Sequence, residues 1–224
     1  MTTTENRRIS VTASAGVYQP QHDSWLLAEC AVDSGLLAGA TVLDMCTGSG
    51  FLAIEAARAG ARTVLAFDIS SAAVDCAERN AAALGEVIDV RCGSFDEARE
   101  AGPFDVVLCN PPYVPSESAP TGDGVHRAWD AGTHGRSVLD PLCERAEALV
   151  SDSGSMFVVQ SEYSDPSVTL EKLRAHGFVA DIQMSRSIDF GPVMQERADW
   201  LERSGLIEPG QRAETLVVIR ADKQ

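Results

Sequence analysis

Four consecutive residues, Asn110-Pro111-Pro112-Tyr113, combine side chains and backbone groups suited to work on a planar nitrogen. The Asn110 side chain carries an acceptor oxygen as well as donor hydrogens, so its oxygen can take a hydrogen from an –NH2 group and fix that group's orientation. Pro111 and Pro112 have no N–H but keep their carbonyls, which leaves the Pro111 carbonyl to accept the second hydrogen. Two accepted hydrogen bonds push electron density onto the nitrogen and aim its lone pair. Tyr113 offers a flat face on which a planar amide or base can stack. An amide nitrogen is a poor nucleophile, so alignment and charge complementarity must supply most of the rate, and no strong general base is required. As a purely structural element, the same run would be a turn that ends a strand.

A second group suits a cofactor that contains adenosine. The strand-like run Thr41 to Met45 leads through Cys46-Thr47-Gly48-Ser49-Gly50 into helix-like Phe51 to Ala57. Gly48 and Gly50 allow a tight turn and close approach of a ligand, and the helix behind them offers free N–H groups. The next strand-like run ends in Asp68, placed to accept both ribose hydroxyls. Gly48-x-Gly50-x-x-Ala53 with Asp68 also satisfies the loose dinucleotide fingerprint, so a nicotinamide cofactor competes with S-adenosylmethionine. Asp44, at the end of the first strand, favours the latter. An acid there repels a pyrophosphate but can bind the ammonium of a methionine moiety, although it can equally serve as a helix N-terminal charge. Ser94 and Phe95, after the third strand, can border an adenine, or Ser94 can simply cap a helix.

Both groups must be held at strand ends, and the pattern along the chain supplies the strands. Apolar runs at Thr41 to Met45, Thr63 to Phe67, Val87 to Arg91, Phe104 to Cys109, Ser155 to Gln160, Val179 to Met184 and Glu214 to Arg220 alternate with helical patterns. Ser71 to Leu84 has one apolar face and stops at Gly85. Ser137, Asp140 and Pro141 predict a side-chain-capped helix that carries Leu139, Leu142, Cys143, Ala146, Leu149 and Val150 on one stripe. Alternation of this kind predicts an α/β fold, a doubly wound three-layer sandwich, in one domain spanning residues 1–224.

Composition sets outer limits. The 224 residues are 45% hydrophobic and 23% charged, as in a globular domain. No apolar run approaches the roughly 18 residues of a membrane helix, and Met1 to Ser10 is polar, so a cytoplasmic location without membrane association is expected. The six cysteines form no Cys-x-x-Cys pair and read as small buried hydrophobes, and the four histidines are dispersed, so no metal site is expected. With 33 acids against 18 bases and a net charge of −15, unaided binding to nucleic acid is disfavoured.

Together these residues resemble the class I methyltransferases that modify exocyclic or amide nitrogens. More narrowly, they resemble the HemK-type release-factor glutamine methyltransferases, in the short form without an N-terminal helical domain. Besides the Asn110 to Tyr113 motif, three pieces carry the resemblance: Tyr18-x-Pro20-x-x-Asp23-Ser24, the Leu43-Asp44-x-x-Thr47-Gly48-Ser49-Gly50 loop, and Ala128-Trp129-Asp130-Ala131-Gly132-x-x-Gly135-Arg136. The resemblance implies a Rossmann-like fold whose mostly parallel seven-stranded sheet has an antiparallel last strand. It implies S-adenosylmethionine as cofactor, with contacts at Ser24, Asp44, Cys46, Gly48, Asp68, Ser94, Phe95 and Asn110, and further contacts in the same segments at Tyr18, Thr47 and Gly50. Substrate contacts and catalysis fall on Asn110, Pro111, Pro112 and Tyr113. The implied substrate is the glutamine of the Gly-Gly-Gln loop of a peptide-chain release factor, and a small zinc-ribbon activator is an implied partner.

Alternatives are a small-molecule or amino-acid nitrogen, the exocyclic amine of adenine, or a non-catalytic cofactor-binding subunit. The chain departs from the family at Cys46 and Ala131, where glycine is usual, at His22, where an acid is usual, and at Ser94, where Asp is common. It also carries an added stretch, Ile188 to Gln211. There Gly191-Pro192 starts a helix with Val193, Met194, Ala198 and Leu201 on one apolar stripe, expected to form a flap near the substrate mouth or to pack on the sheet or a second copy of the chain.

Overall fold

The computed structural model describes residues 9–117 and 125–224; the polar N-terminal stretch Met1 to Arg8 lies outside them. Seven strands form one sheet in the order β3-β2-β1-β4-β5-β7-β6. Strands β1 (Thr41–Met45), β2 (Thr63–Asp68), β3 (Asp89–Cys92), β4 (Phe104–Cys109) and β5 (Val150–Ser161) run parallel. Strand β7 (Ala213–Lys223) is antiparallel to both β5 and β6 (Phe178–Asp189). This is the expected Rossmann-like arrangement, flanked by helices.

Continuous apolar strands suit a sheet covered on both faces, and the central ones are buried along almost their whole length. Leu43, Phe67, Leu108 and Phe157 anchor the core with the inner faces of α1 (His22–Asp33), α2 (Phe51–Arg58) and α5 (Leu139–Leu149). Helix α3 (Ser71–Leu84) begins at Ser70, whose side chain accepts from the Ala73 N–H, and ends at Gly85 in the left-handed conformation. Helix α4 (Phe95–Ala101) starts with a capping box between Ser94 and Glu97.

Helix α5 departs from its predicted start. Val138 is the N-cap and makes no side-chain cap bond, because a valine side chain has no acceptor to offer; the Ser137 N–H donates to the Ala131 carbonyl at 3.1 Å. The first-turn carboxylate of Asp140 instead accepts from Arg136 Nε at 2.9 Å. Val87, expected in β3, is 94% exposed and precedes the pairing with β2, which starts at Asp89. Of the six cysteines, Cys92 is exposed and Cys46 half-buried; the other four are buried.

The register places the site. Met45 stands beside Phe67 on one side and Cys109 on the other, and Asp68 stands beside Cys92. The loops that follow β1, β2, β3 and β4 therefore leave the sheet abreast, at the edge where ligands bind in open α/β sheets.

Candidate active site

Those loops surround a cavity of about 740 Å³, within the range of cofactor and substrate sites. On one side lie Cys46 to Ser49, Asp68, Ser94 and Phe95; on the other lie Asn110 to Val114 and Trp129 to Asp130. Tyr18, Asp23 and Ser24, around the start of α1, close it. Among the residues singled out from the sequence, Asp44 and Gly50 do not border this cavity.

Gly48 does face it. Its φ is +55°, and a Cβ there would meet nothing within 4 Å, so the bare backbone looks onto open space. The Gly48 N–H donates to Asp68 Oδ2 at 2.9 Å, and the Ser70 N–H donates to Asp68 Oδ1 at 2.9 Å, which ties the turn after β1 to the end of β2. A carboxylate has capacity for about four hydrogen bonds, so acceptance of ribose hydroxyls remains compatible with these contacts. Gly50 answers a different demand: its φ is +81°, and a Cβ would come within 2.9 Å of Ala77 on α3. It is glycine because the helices crowd it.

Asp44 is fully buried beneath the turn. Its Oδ2 accepts from Thr47 Oγ1 at 2.6 Å and from the Ala53 N–H at 3.0 Å, while among the described residues none donates to Oδ1. Burial pushes its carboxyl up to about 7, against the pull of those two bonds. Cys46, at the family's usual glycine position, has φ +62°, a conformation that favours glycine.

The acceptor side converges on a carboxylate that the chemistry of single residues does not reveal. Asp23, 4% exposed in the first turn of α1, accepts at Oδ2 from Tyr18 Oη, Asn110 Nδ2 and Tyr113 Oη, each at 3.1 Å. Its Oδ1 accepts from the Ser24 N–H at 2.6 Å and from Ser24 Oγ at 3.2 Å. Burial raises the Tyr18 and Tyr113 phenols, and Asp23 adds to the effect, so both hydroxyls stay protonated and donate. Asn110 Nδ2 also donates to Ser24 Oγ at 3.1 Å. Glu214 on β7, 6% exposed, lies near enough to add to the field; burial foremost, and then Asp23, pushes its carboxyl up, and Ser161 Oγ donates to it at 2.5 Å.

Other segments brace this side. Val114 bridges to the loop around Asp130: its N–H donates to the Trp129 carbonyl at 2.8 Å, and its carbonyl accepts from the Ala131 N–H at 3.0 Å. A Cβ on Gly135 would fall 2.3 Å from the Tyr113 carbonyl, so only glycine allows that approach. Arg136 is buried and donates to the carbonyls of Ser164 and Asp165, which pins the loop to the end of β5. In the added stretch, α7 (Pro192–Arg203) buries Met194, Ala198 and Leu201, and Arg197 reaches the Pro115 carbonyl at 3.0 Å and the Asp130 carboxylate. The helix thus packs on the body of the protein and also touches the acceptor side.

Residues 9–181 match the methyltransferase small domain. The chain belongs to that family. A putative protein N5-glutamine methyltransferase from Methanocaldococcus jannaschii is 31% identical over 182 residues, spanning 80% of this chain and 89% of that relative. A release factor glutamine methyltransferase from Deinococcus radiodurans is 31% identical over 182 residues, spanning 79% of this chain and 64% of that relative. Among solved structures, the Mtq2–Trm112 complex of E. cuniculi, responsible for methylation of the eRF1 translation termination factor, matches with a TM-score of 0.64 at 22% identity over 93% of this chain and 99% of that chain.

This member of the methyltransferase small domain family is therefore an S-adenosylmethionine-dependent methyltransferase. The residues present fit that cofactor: a bare glycine backbone on the cavity wall, an acid at the end of β2, and a sheet-edge cavity of suitable size. Of the supporting residues, Asp23, Gly135, Arg136 and Arg197 have no chemistry legible one at a time. In the sequence, Asp23, Gly135 and Arg136 stand out only as members of the pieces Tyr18-x-Pro20-x-x-Asp23-Ser24 and Gly132-x-x-Gly135-Arg136.

Proposed function

We propose that this chain methylates the side-chain amide nitrogen of a glutamine, and that the glutamine lies in the Gly-Gly-Gln loop of a peptide-chain release factor. One observation carries the reading: Asn110-Pro111-Pro112-Tyr113 borders the same cavity as Gly48 and Asp68, so an amide seated at the motif lies within reach of the cofactor. The names of the relatives support it.

Asn110 Oδ1 and the Pro111 carbonyl accept the two amide hydrogens, and Tyr113 supports the amide plane. S-adenosylmethionine supplies the methyl, whose bond to sulfur breaks as the bond to nitrogen forms. Nitrogen then sheds one proton to solvent. Cys46, Thr47, Gly48, Ser94 and Phe95 line the cofactor's part of the cavity, Asp68 accepts the ribose hydroxyls, and Tyr18 and Ser24 close it. Gly50 shapes the turn, and Asp44 acts on the ammonium end through space rather than by contact.

A folded protein substrate offers a larger surface than a small molecule, and a net charge of −15 favours association with a basic region of such a partner. A small zinc-ribbon activator belongs to the same reading, supported by the resemblance to the structure of a two-protein complex. The test is transfer to a folded release factor, read by mass spectrometry of the Gly-Gly-Gln peptide, with and without such an activator. One added methyl on the glutamine supports the proposal. Transfer only to free amino acids, metabolites or adenine overturns it.

A further inference from the structure

An asparagine amide has an oxygen and a nitrogen of nearly the same size, and a half-turn about its last bond exchanges them. At Asn110 that exchange decides function. With Oδ1 toward the acceptor, the side chain accepts from a substrate –NH2; with Nδ2 there, two donors face each other and the substrate is turned away.

We infer that Asp23 is a positioning residue that fixes which way round the Asn110 amide sits, and so determines that the acceptor is a group with hydrogens to give. This rests on the proposed amide chemistry. Both hydrogens of Asn110 Nδ2 are spoken for, one by Asp23 Oδ2 and one by Ser24 Oγ, each at 3.1 Å. Rotation would set Oδ1 against the Asp23 carboxylate, acceptor against acceptor. The Ser24 hydroxyl cannot rescue the rotated form without loss, because its hydrogen is directed at Asp23 Oδ1 at 3.2 Å and its oxygen lone pairs are what it offers to Asn110. The phenols of Tyr18 and Tyr113 likewise direct their hydrogens at Asp23. One buried carboxylate therefore polarises all the surrounding donors, and Asn110 has one satisfied orientation. The start of α1 favours a negative charge at this point of the helix.

The test exchanges donor and acceptor. Asp23→Asn keeps shape but removes the acceptor-only group, and should lower kcat on the release-factor glutamine by at least about fiftyfold, with cofactor Kd within about threefold. Asn110→Asp alone sets two carboxylates in contact and should be as poor. The double variant Asp23→Asn/Asn110→Asp exchanges the two roles, with the donor at 23 and acceptors at 110, one of them facing the substrate, and should recover at least about tenfold over Asp23→Asn. A merely structural role for Asp23 predicts no such recovery. Asp23→Asn with kcat within threefold of wild type, or a double variant no faster than Asp23→Asn, would overturn the inference. If the wild-type chain transfers nothing to release-factor glutamine, the proposed function fails separately, and the inference is then read by NMR of the Asn110 side-chain amide. Its hydrogens should exchange slowly with solvent in the wild-type chain and much faster in Asp23→Asn, and equal exchange would overturn it.

Discussion

The two sides of the cavity are built differently. On the cofactor side the ties to the two carboxylates are short in sequence: Thr47 to Asp44 spans 3 residues, Ala53 to Asp44 spans 9, and Gly48 to Asp68 spans 20, all within one strand-helix-strand unit. On the acceptor side the ties are long: Asn110 to Asp23 spans 87 residues, Arg197 to Pro115 spans 82, and Arg197 to Asp130 spans 67. A βαβ unit brings such partners together by local chain connection. The acceptor side is a convergence of α1, the loop after β4, the loop before α5 and the added helix α7. Of these, α7 and the loop before α5 supply none of the residues assigned to the cofactor, so they are where the acceptor side can be retuned with least effect on cofactor binding.

The sharpest way to break this comparison is at the motif itself. Asn110→Ala should leave cofactor affinity largely intact while lowering turnover by at least about a hundredfold, as expected when an interaction that aligns the reacting nitrogen is lost. Steady-state kinetics beside calorimetric cofactor binding checks it; a near wild-type rate would remove Asn110 from the reaction.

Asp68→Ala should do the reverse. Loss of a charged acceptor for the ribose hydroxyls is worth about 1.5–3 kcal/mol, or roughly ten- to a hundredfold and more in cofactor Kd. Unchanged affinity by calorimetry would leave Asp68 as a loop brace alone.

Arg197→Ala probes the long ties more gently. Its guanidinium ties α7 to Pro115 and Asp130, two adjoining segments of the acceptor side, so its removal should raise the KM for the proposed release-factor substrate by about three- to tenfold with cofactor Kd within twofold. A lower melting temperature with both constants unchanged would show that α7 contributes stability alone.

A separate effect, on stability rather than on binding or turnover, concerns pH and the short ties. Burial raises the Asp44 carboxyl from 3.8 to about 7 in the folded chain, so between those values the folded state holds a proton that the unfolded state has released. That contribution to stability is full below about pH 4 and is lost as pH rises through about 7. Asp44→Asn should therefore gain in melting temperature relative to the wild-type chain between pH 5 and pH 8. A constant difference across that range would contradict the burial argument.

The same division explains what the sequence disclosed. Strands β1 and β4 have the bounds expected from their apolar runs because both are central and covered on two faces. Strand β5 begins earlier than expected, at Val150, because Ser151-Asp152-Ser153-Gly154 continues it through a register shift against β4 and hides it behind polar residues. Strand β6 runs on to Asp189 as an edge strand with few buried side chains, so its apolar signal fades after Met184 while its backbone pairing with β7 continues. In the site, Gly48, Asp68 and the Asn110 motif were readable because each announces a local backbone need or a distinctive chemistry. Gly50 was read as a ligand contact, yet its environment is Ala77 from another helix, a packing demand that no local pattern states. Asp23, Gly135 and Arg197 matter for what lies across the fold from them, and spacing along the chain carries no trace of that.

The order of the sheet has a consequence for the chain while it is being made. Strand β7 lies between β5 and β6 although it is synthesised after both. Until residues 213–223 have left the ribosome, β5 and β6 have no strand to join them, and each presents an unpaired edge. The cofactor side, which is lined as far as Phe95, can take shape earlier. The acceptor side waits for Arg197 on α7 and for the strand that brings Glu214 up to Asp23. A growing chain can therefore shape its cofactor turn well before it can organise its acceptor side, and the sheet is continuous only after β7 has slotted into the gap left for it.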